Sequence, residues 1–201
     1  MPPALTVQRK PQLAAAMLHA LRQEGLLPFK DVGADCLDGT RPECLDAVDA
    51  WVGVTTFVAM PGETRGWLQR PRTEDKTSRE KGQERATQRV GDAAPPACPV
   101  ATMAANRPAS NWERRQVSEG SKGPSESALA RQRVTLGKEG RPERTVGLVI
   151  TRTRGPIPAY AYSIRHAPVR TPWRTFVWLS GVRWAIAPCF EAGQTALGMA
   201  H

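Results

Sequence analysis

Asp35 stands in "GADCLDG", at the C-terminal end of the strand-like run "FKDVGADCL" and just before a turn. In an open α/β sheet, ligands bind in the crevice beyond the carboxyl ends of the strands. A carboxylate there can supply a hard oxygen to Mg²⁺, which takes one or two carboxylates and keeps several waters. The same residue types also build turns: Asp38-Gly39 follows, and an Asp in this setting can cap a turn or a helix. Spacing alone leaves both readings open.

The other reactive residue types spell no competing site. Ser118, Ser121 and Ser180 lack the flanking glycines of a hydrolase nucleophile elbow. "SEGSKGP" has two glycines and a lysine without P-loop spacing, which reads as a turn. Cys36, Cys44, Cys98 and Cys189 form no C-x-x-C pair, so neither a zinc ribbon nor a thioredoxin-type site is spelled. A chain of 201 residues does not need disulfides to hold a core, and free thiols are expected.

The elements that would position Asp35 follow from periodicity. "KPQLAAAMLHALRQEG" predicts a helix, with Pro11 in its first turn, Leu13, Met17 and Leu21 on one face and Gly25 to end it. His19 falls on the polar face, where it is expected to be solvated. "RPECLDAVDAWV" predicts a second helix with Leu45, Val48 and Val52 inward, and "GVTTFVAMPG" a second strand rich in β-branched residues. Strand, helix and strand within about thirty residues suggest a βαβ unit with parallel strands. The stretch 72–106 is rich in charge and proline and poor in large apolar residues, and reads as a linker, long loop or disordered segment. Strand-like pieces return in "RQRVTLG", "RTVGLVITRT" and "AYAYSIRHAP", and Thr171-Pro172 opens a last helical region.

Lysine and arginine number 28 against 19 acids, a net charge of +9. From Thr145 onward the bases are Arg152, Arg154, Arg165, Arg170, Arg174 and Arg183, against Glu191 alone. Such a field favours a polyanion, nucleic acid above all, although arginine-rich composition alone would also produce it. No apolar run reaches the ~18–20 residues of a membrane span. The N-terminus "MPPALTVQRKPQL" lacks the order of a signal peptide. The expectation is a cytoplasmic protein, nucleoid-associated if bound to DNA, with no membrane partner.

The long stretch from "KPQLAAAML" through "GLLPFKDVGADCLDGTRPECLDAVDAWVGVTTFVAMPGETRGWLQRP" resembles the middle of a bacterial insertion-sequence transposase of the DDE superfamily. "NWERRQVSEGSKGP", "ARQRVTLGKEG" and "FVWLSGVRWAI" continue the resemblance in the same order. The resemblance implies an RNase H-like α/β core interrupted by a β-rich insertion. On that basis 1–71 would be a partial core, 72–106 a linker, 107–170 the insertion and 171–201 the C-terminal helical part. It implies DNA transposition by metal-dependent phosphodiester cleavage and strand transfer, with two Mg²⁺ ions held by three acids.

Carried over by position, Asp35 matches the second acid and would be the metal ligand. The family's first acid lies on a strand well before the "KPQL" helix and has no counterpart here. The third belongs to the last helix, where Arg183 matches an arginine of the pattern, Ala187 occupies the acid position and Gln194 that of a lysine. Glu191 is four residues further along, about 6 Å up the axis at ~1.5 Å per residue, too far to stand in. Pro188 interrupts the same helix. The chain therefore reads as a truncated, degenerate transposase, expected to be inactive and not to retain Mg²⁺. The alternative is a non-catalytic basic DNA-binding fragment able to interfere with an intact transposase. Arg114, Arg115, Trp112 and Arg183 are the candidate contacts to DNA backbone or a displaced base. For Trp112 a partly buried strand tryptophan is an equal reading.

Overall fold

The computed structural model describes residues 9–25, 27–34, 46, 48, 50–80, 83–120, 123–138, 140–166 and 171–181. Asp35, Arg183, Ala187, Pro188, Glu191 and Gln194, and with them the expected break in the last helix, lie outside the described residues.

The architecture is mixed α/β and dominated by strands. Helix α1 (Lys10–Glu24) precedes β1 (Asp31–Ala34), β2 (Thr55–Met60) and β3 (Arg65–Trp67). A hairpin follows, β4 (Thr73–Glu80) and β5 (Gln83–Val90), then β6 (Cys98–Pro99) and helix α2 (Val100–Ala105). A single 3₁₀ turn at Ala109–Asn111 leads into β7 (Glu113–Gly120), β8 (Gly123–Lys138), β9 (Arg141–Thr153) and β10 (Tyr160–His166), and residues 173–181 are helical.

Among the described residues, eight strands form one sheet in the order β1-β2-β10-β9-β8-β3-β6, with β7 also on β8, while β4 and β5 pair with each other. β1 and β2 are parallel, as the βαβ reading requires, and Val32 faces Thr56 in that ladder. Of the intervening helix, Asp46 and Val48 are described as helical, and Val48 is buried. Val52, assigned inward by periodicity, is 93 % exposed because it lies beyond the helix in the turn to β2.

β2 pairs antiparallel with β10 on its other side, Val58 opposite Ile164. The expected partial core (1–71) and expected insertion (107–170) therefore share one sheet. β8 is long enough to hold β7 along its first half, at Glu113–Leu129, and β3 near its end, at Trp67–Thr135.

Two apolar layers cover this sheet. On one face Val58, Met60, Leu148, Ile150 and Ile164 meet Val100, Met103 and Ala104 of α2. The first N–H groups of α2 are satisfied by the turn after β2: Val100 N–H donates to Thr64 O and Ala101 N–H to Gly62 O, both at 2.9 Å. A Cβ at Gly62 would come within 2.9 Å of the Tyr162 ring, which would have to shift to admit it. On the other face Phe176 and Leu179 of helix 173–181 pack on Phe57 and Val149. The reading of 72–106 as a loose linker is thus corrected: 73–90 is a paired ribbon, and 98–105 supplies part of the core.

Helix α1 runs as predicted, with Gly25 closing it at φ 67°. Gln12 Oε1 accepts the Arg9 N–H at 3.0 Å. Its predicted inner face is not the one used. Leu13 and Met17 are exposed, whereas His19 stacks on Trp51 with ring centres 6.3 Å apart and Arg22 lies 5.0 Å over the same ring. An indole offers a larger contact to a cation and an imidazole than the helix's small apolar stripe finds elsewhere.

Candidate nucleic-acid interface

Side chains alternate along a strand, and directly opposed residues share a face. Register therefore decides which arginines can act together. Arg114 of β7 faces Ala128 of β8, Ala128 faces Arg152 of β9, and Arg152 faces Tyr160 of β10. These four form one row across four strands, on the α2 side of the sheet and beyond the helix.

Trp112 and Tyr162 lie two residues from Arg114 and Tyr160, on the same face, and both pack against the edge of the main core. Ala128 and Ala130 of β8 lie buried on this face. The Arg152 guanidinium sits 4.4 Å from the Trp112 ring centre. Trp112 and Tyr160 meet edge to face at 6.1 Å, and Tyr160 stacks almost parallel on Tyr162 at 6.4 Å. Arg114 is exposed and Tyr160 is 37 % exposed. Trp112 is half-buried against the core, and its ring also belongs to an aromatic cluster with Tyr160. Burial, and secondarily the neighbouring Tyr160, push the Tyr162 hydroxyl above the ordinary tyrosine value.

The pleat separates Arg115 from Arg114. Arg115 donates to Glu113 Oε2 at 2.7 Å, and Glu113 Oε1 accepts the Trp173 indole N–H at 2.7 Å. Arg115 therefore lies beside helix 173–181 on the opposite face, with its charge matched by a carboxylate. Two more arginines on that face serve packing. Arg131 lies 5.1 Å from the Trp173 ring centre and Arg165 4.2 Å from that of Phe176. Arg165 runs flat over Gly147, where a Cβ would come within 2.5 Å of its Nε. Burial, and then the charge of Arg131, hold this guanidinium below its ordinary range, and its buried Nη1 has no hydrogen-bond partner among the described residues.

The site that the geometry assembles is Arg114, Arg152, Tyr160, Trp112 and Tyr162. Arg114 and Trp112 are legible in sequence. Arg152, Tyr160 and Tyr162 are not singled out there, although the alternation in "AYAYS" was a usable signal for two rings on one face. The arrangement can give charge-assisted hydrogen bonds to phosphate and flat surfaces for stacking. In the next row, Arg154 is occupied by Glu126 at 2.6 Å. As for a metal, no group of three or more His, Cys, Asp or Glu is placed to hold one ion among the described residues. No helix among the described residues is long and apolar enough to cross a membrane. No family model matches the chain, and no curated protein matches it.

Proposed function

We propose that this protein binds DNA as a transposase-type protein that has lost phosphodiester cleavage. The observation that carries the reading is the cross-strand row of Arg114, Arg152 and Tyr160 beside Trp112. It combines exposed guanidinium with exposed aromatic surface in a chain of net charge +9. Arg114 and Arg152 contact phosphates, and a displaced base stacks on the Trp112–Tyr160 surface. The likeness to insertion-sequence transposases supplies the class of nucleic acid. Ala187, at the position of the third acid, supports loss of cutting, since a methyl group offers no metal ligand.

The test is DNA binding across a salt series, paired with a nicking assay on supercoiled DNA in Mg²⁺ or Mn²⁺. Each phosphate no longer neutralised should flatten the slope of log K against log salt by about 0.9 for duplex DNA. Arg114→Ala and Arg152→Ala should each do so, and Trp112→Ala should cut affinity for a frayed end more than for a blunt duplex. Salt-independent tight binding would contradict the electrostatic reading. Nicking by the unaltered chain that disappears in Asp35→Ala would overturn the loss of cleavage.

A further inference from the structure

Between β3, the segment 91–96 and the connection from α2 to the 3₁₀ turn lies a cavity of about 880 Å³. Small-molecule sites commonly fall between roughly 300 and 1,000 Å³. Its apolar wall is built from Leu68, Pro71, Ala94 and Pro95. Leu68 is 55 % exposed, so this wall has apolar surface to offer a ligand. The wall is held in place, because the Trp67 indole N–H donates to Pro95 O at 2.8 Å.

Cations and an acid line the same cavity unequally: Arg70, Arg72 and Arg107 against Glu74. Arg107 is fixed by three neutral acceptors. It donates through Nη1 to Gln132 Oε1, through Nη2 to Arg131 O at 2.8 Å and through Nε to Asn111 O at 3.4 Å. Arg70 donates to Glu143 O at 2.9 Å. Both guanidiniums are therefore oriented by neutral carbonyl-type oxygens, and neither is ion-paired to a carboxylate among the described residues. Burial holds Arg107 below its ordinary range, so the cation is kept at a cost that an anion in the cavity would offset.

We infer that this cavity binds a small organic anion, its flat apolar body against Leu68, Pro71 and Pro95 and its carboxylate, sulfonate or phosphate toward Arg70 and Arg107. The site does not use Arg114, Arg152 or Tyr160 and does not depend on the DNA-binding reading. The probe is anilinonaphthalene sulfonate, titrated into the folded full-length protein and followed by its fluorescence. Alkylation of Cys98, a free and half-buried cysteine among the residues around the cavity, is read in parallel by peptide mass spectrometry.

The expected result is saturable binding that slows Cys98 alkylation. The uncharged phenylnaphthylamine of the same shape should bind roughly tenfold more weakly, the worth of one charge-assisted hydrogen bond. Arg107→Met should cost a similar factor. Because that change also removes structural hydrogen bonds, Ala93→Trp is the second variant. An indole at this exposed lining position should occupy part of the cavity and abolish the protection of Cys98 by the probe, whereas Arg114→Ala should leave probe binding unchanged. Probe binding that persists in Ala93→Trp, leaves Cys98 unprotected or is lost in Arg114→Ala would overturn the site. Inorganic sulfate binding as tightly as the probe would overturn the ligand class.

Discussion

Tyr160 and Tyr162 are the two tyrosines of the chain, so the tyrosinate absorbance band reports on this cluster alone. In Tyr160→Phe a single ionisation remains, that of Tyr162. It should stay above the ordinary value of 10.0, because burial is the larger cause, yet fall relative to the intact protein as the neighbouring charge is removed. The sign for stability follows from linkage. A group whose value is raised by folding contributes fully below its unfolded value and loses that contribution as pH rises through the folded one. The window therefore opens near 10.0 and closes at the raised value, and the unfolding midpoint should fall across it less steeply in Tyr162→Phe. Duplex DNA bound at the row should delay the titration further, since phosphates oppose a second negative charge. A titration unmoved by DNA would place the bound duplex elsewhere.

Among the elements, legibility followed apolar periodicity. α1, β2 and the strands β8, β9 and β10 announce themselves by repeats of 3.6 or 2, or by β-branched runs, and the structure places them there. The hairpin was illegible for the opposite reason. "TEDKTSRE" and "QERATQRV" pair with each other through backbone hydrogen bonds, Lys76 opposite Thr87, and a ribbon of such polar sequence gives periodicity nothing to detect. α2 failed differently: six residues, "VATMAA", are too few to show a helical period, yet Val100 is fully buried. The site was half legible. Arg114 and Trp112 could be picked from one short stretch, but their partners come from β9 and β10, and only register joins them. Arg115 shows the converse, since the residue next in sequence faces away. A core role for α2 can be checked with Met103→Ala. Removing a buried thioether side chain should cost about 2 kcal/mol, at the low end for Met→Ala because α2 is short and can settle inward. An unchanged denaturant midpoint would return 98–105 to the status of a loop.

At the scale of the whole molecule, β2 is the strand on which everything converges. All six of its residues are buried, with parallel β1 on one side and antiparallel β10 on the other. Thr56 Oγ1 accepts the His166 N–H at 3.0 Å across 110 residues of chain. This arrangement sets an order of events during synthesis. When Met60 leaves the ribosome, β2 can be paired on one side only, and its other backbone edge has no partner until β10 has been made about a hundred residues later. Pairing at such separation is slow to form, because loop closure must precede the contacts that reward it. Meanwhile an unpaired apolar strand edge is a template for other chains. A fragment ending at residue 158 should therefore show fast amide exchange at 55–60 and associate in a concentration-dependent way, while the full chain protects those amides. Equal protection in both would mean that β2 is settled before β10 arrives. Otherwise β2 waits for β10 through the synthesis of about a hundred residues, and the yield in a cell should depend on elongation rate and chaperone supply as well as on the energy of the finished fold.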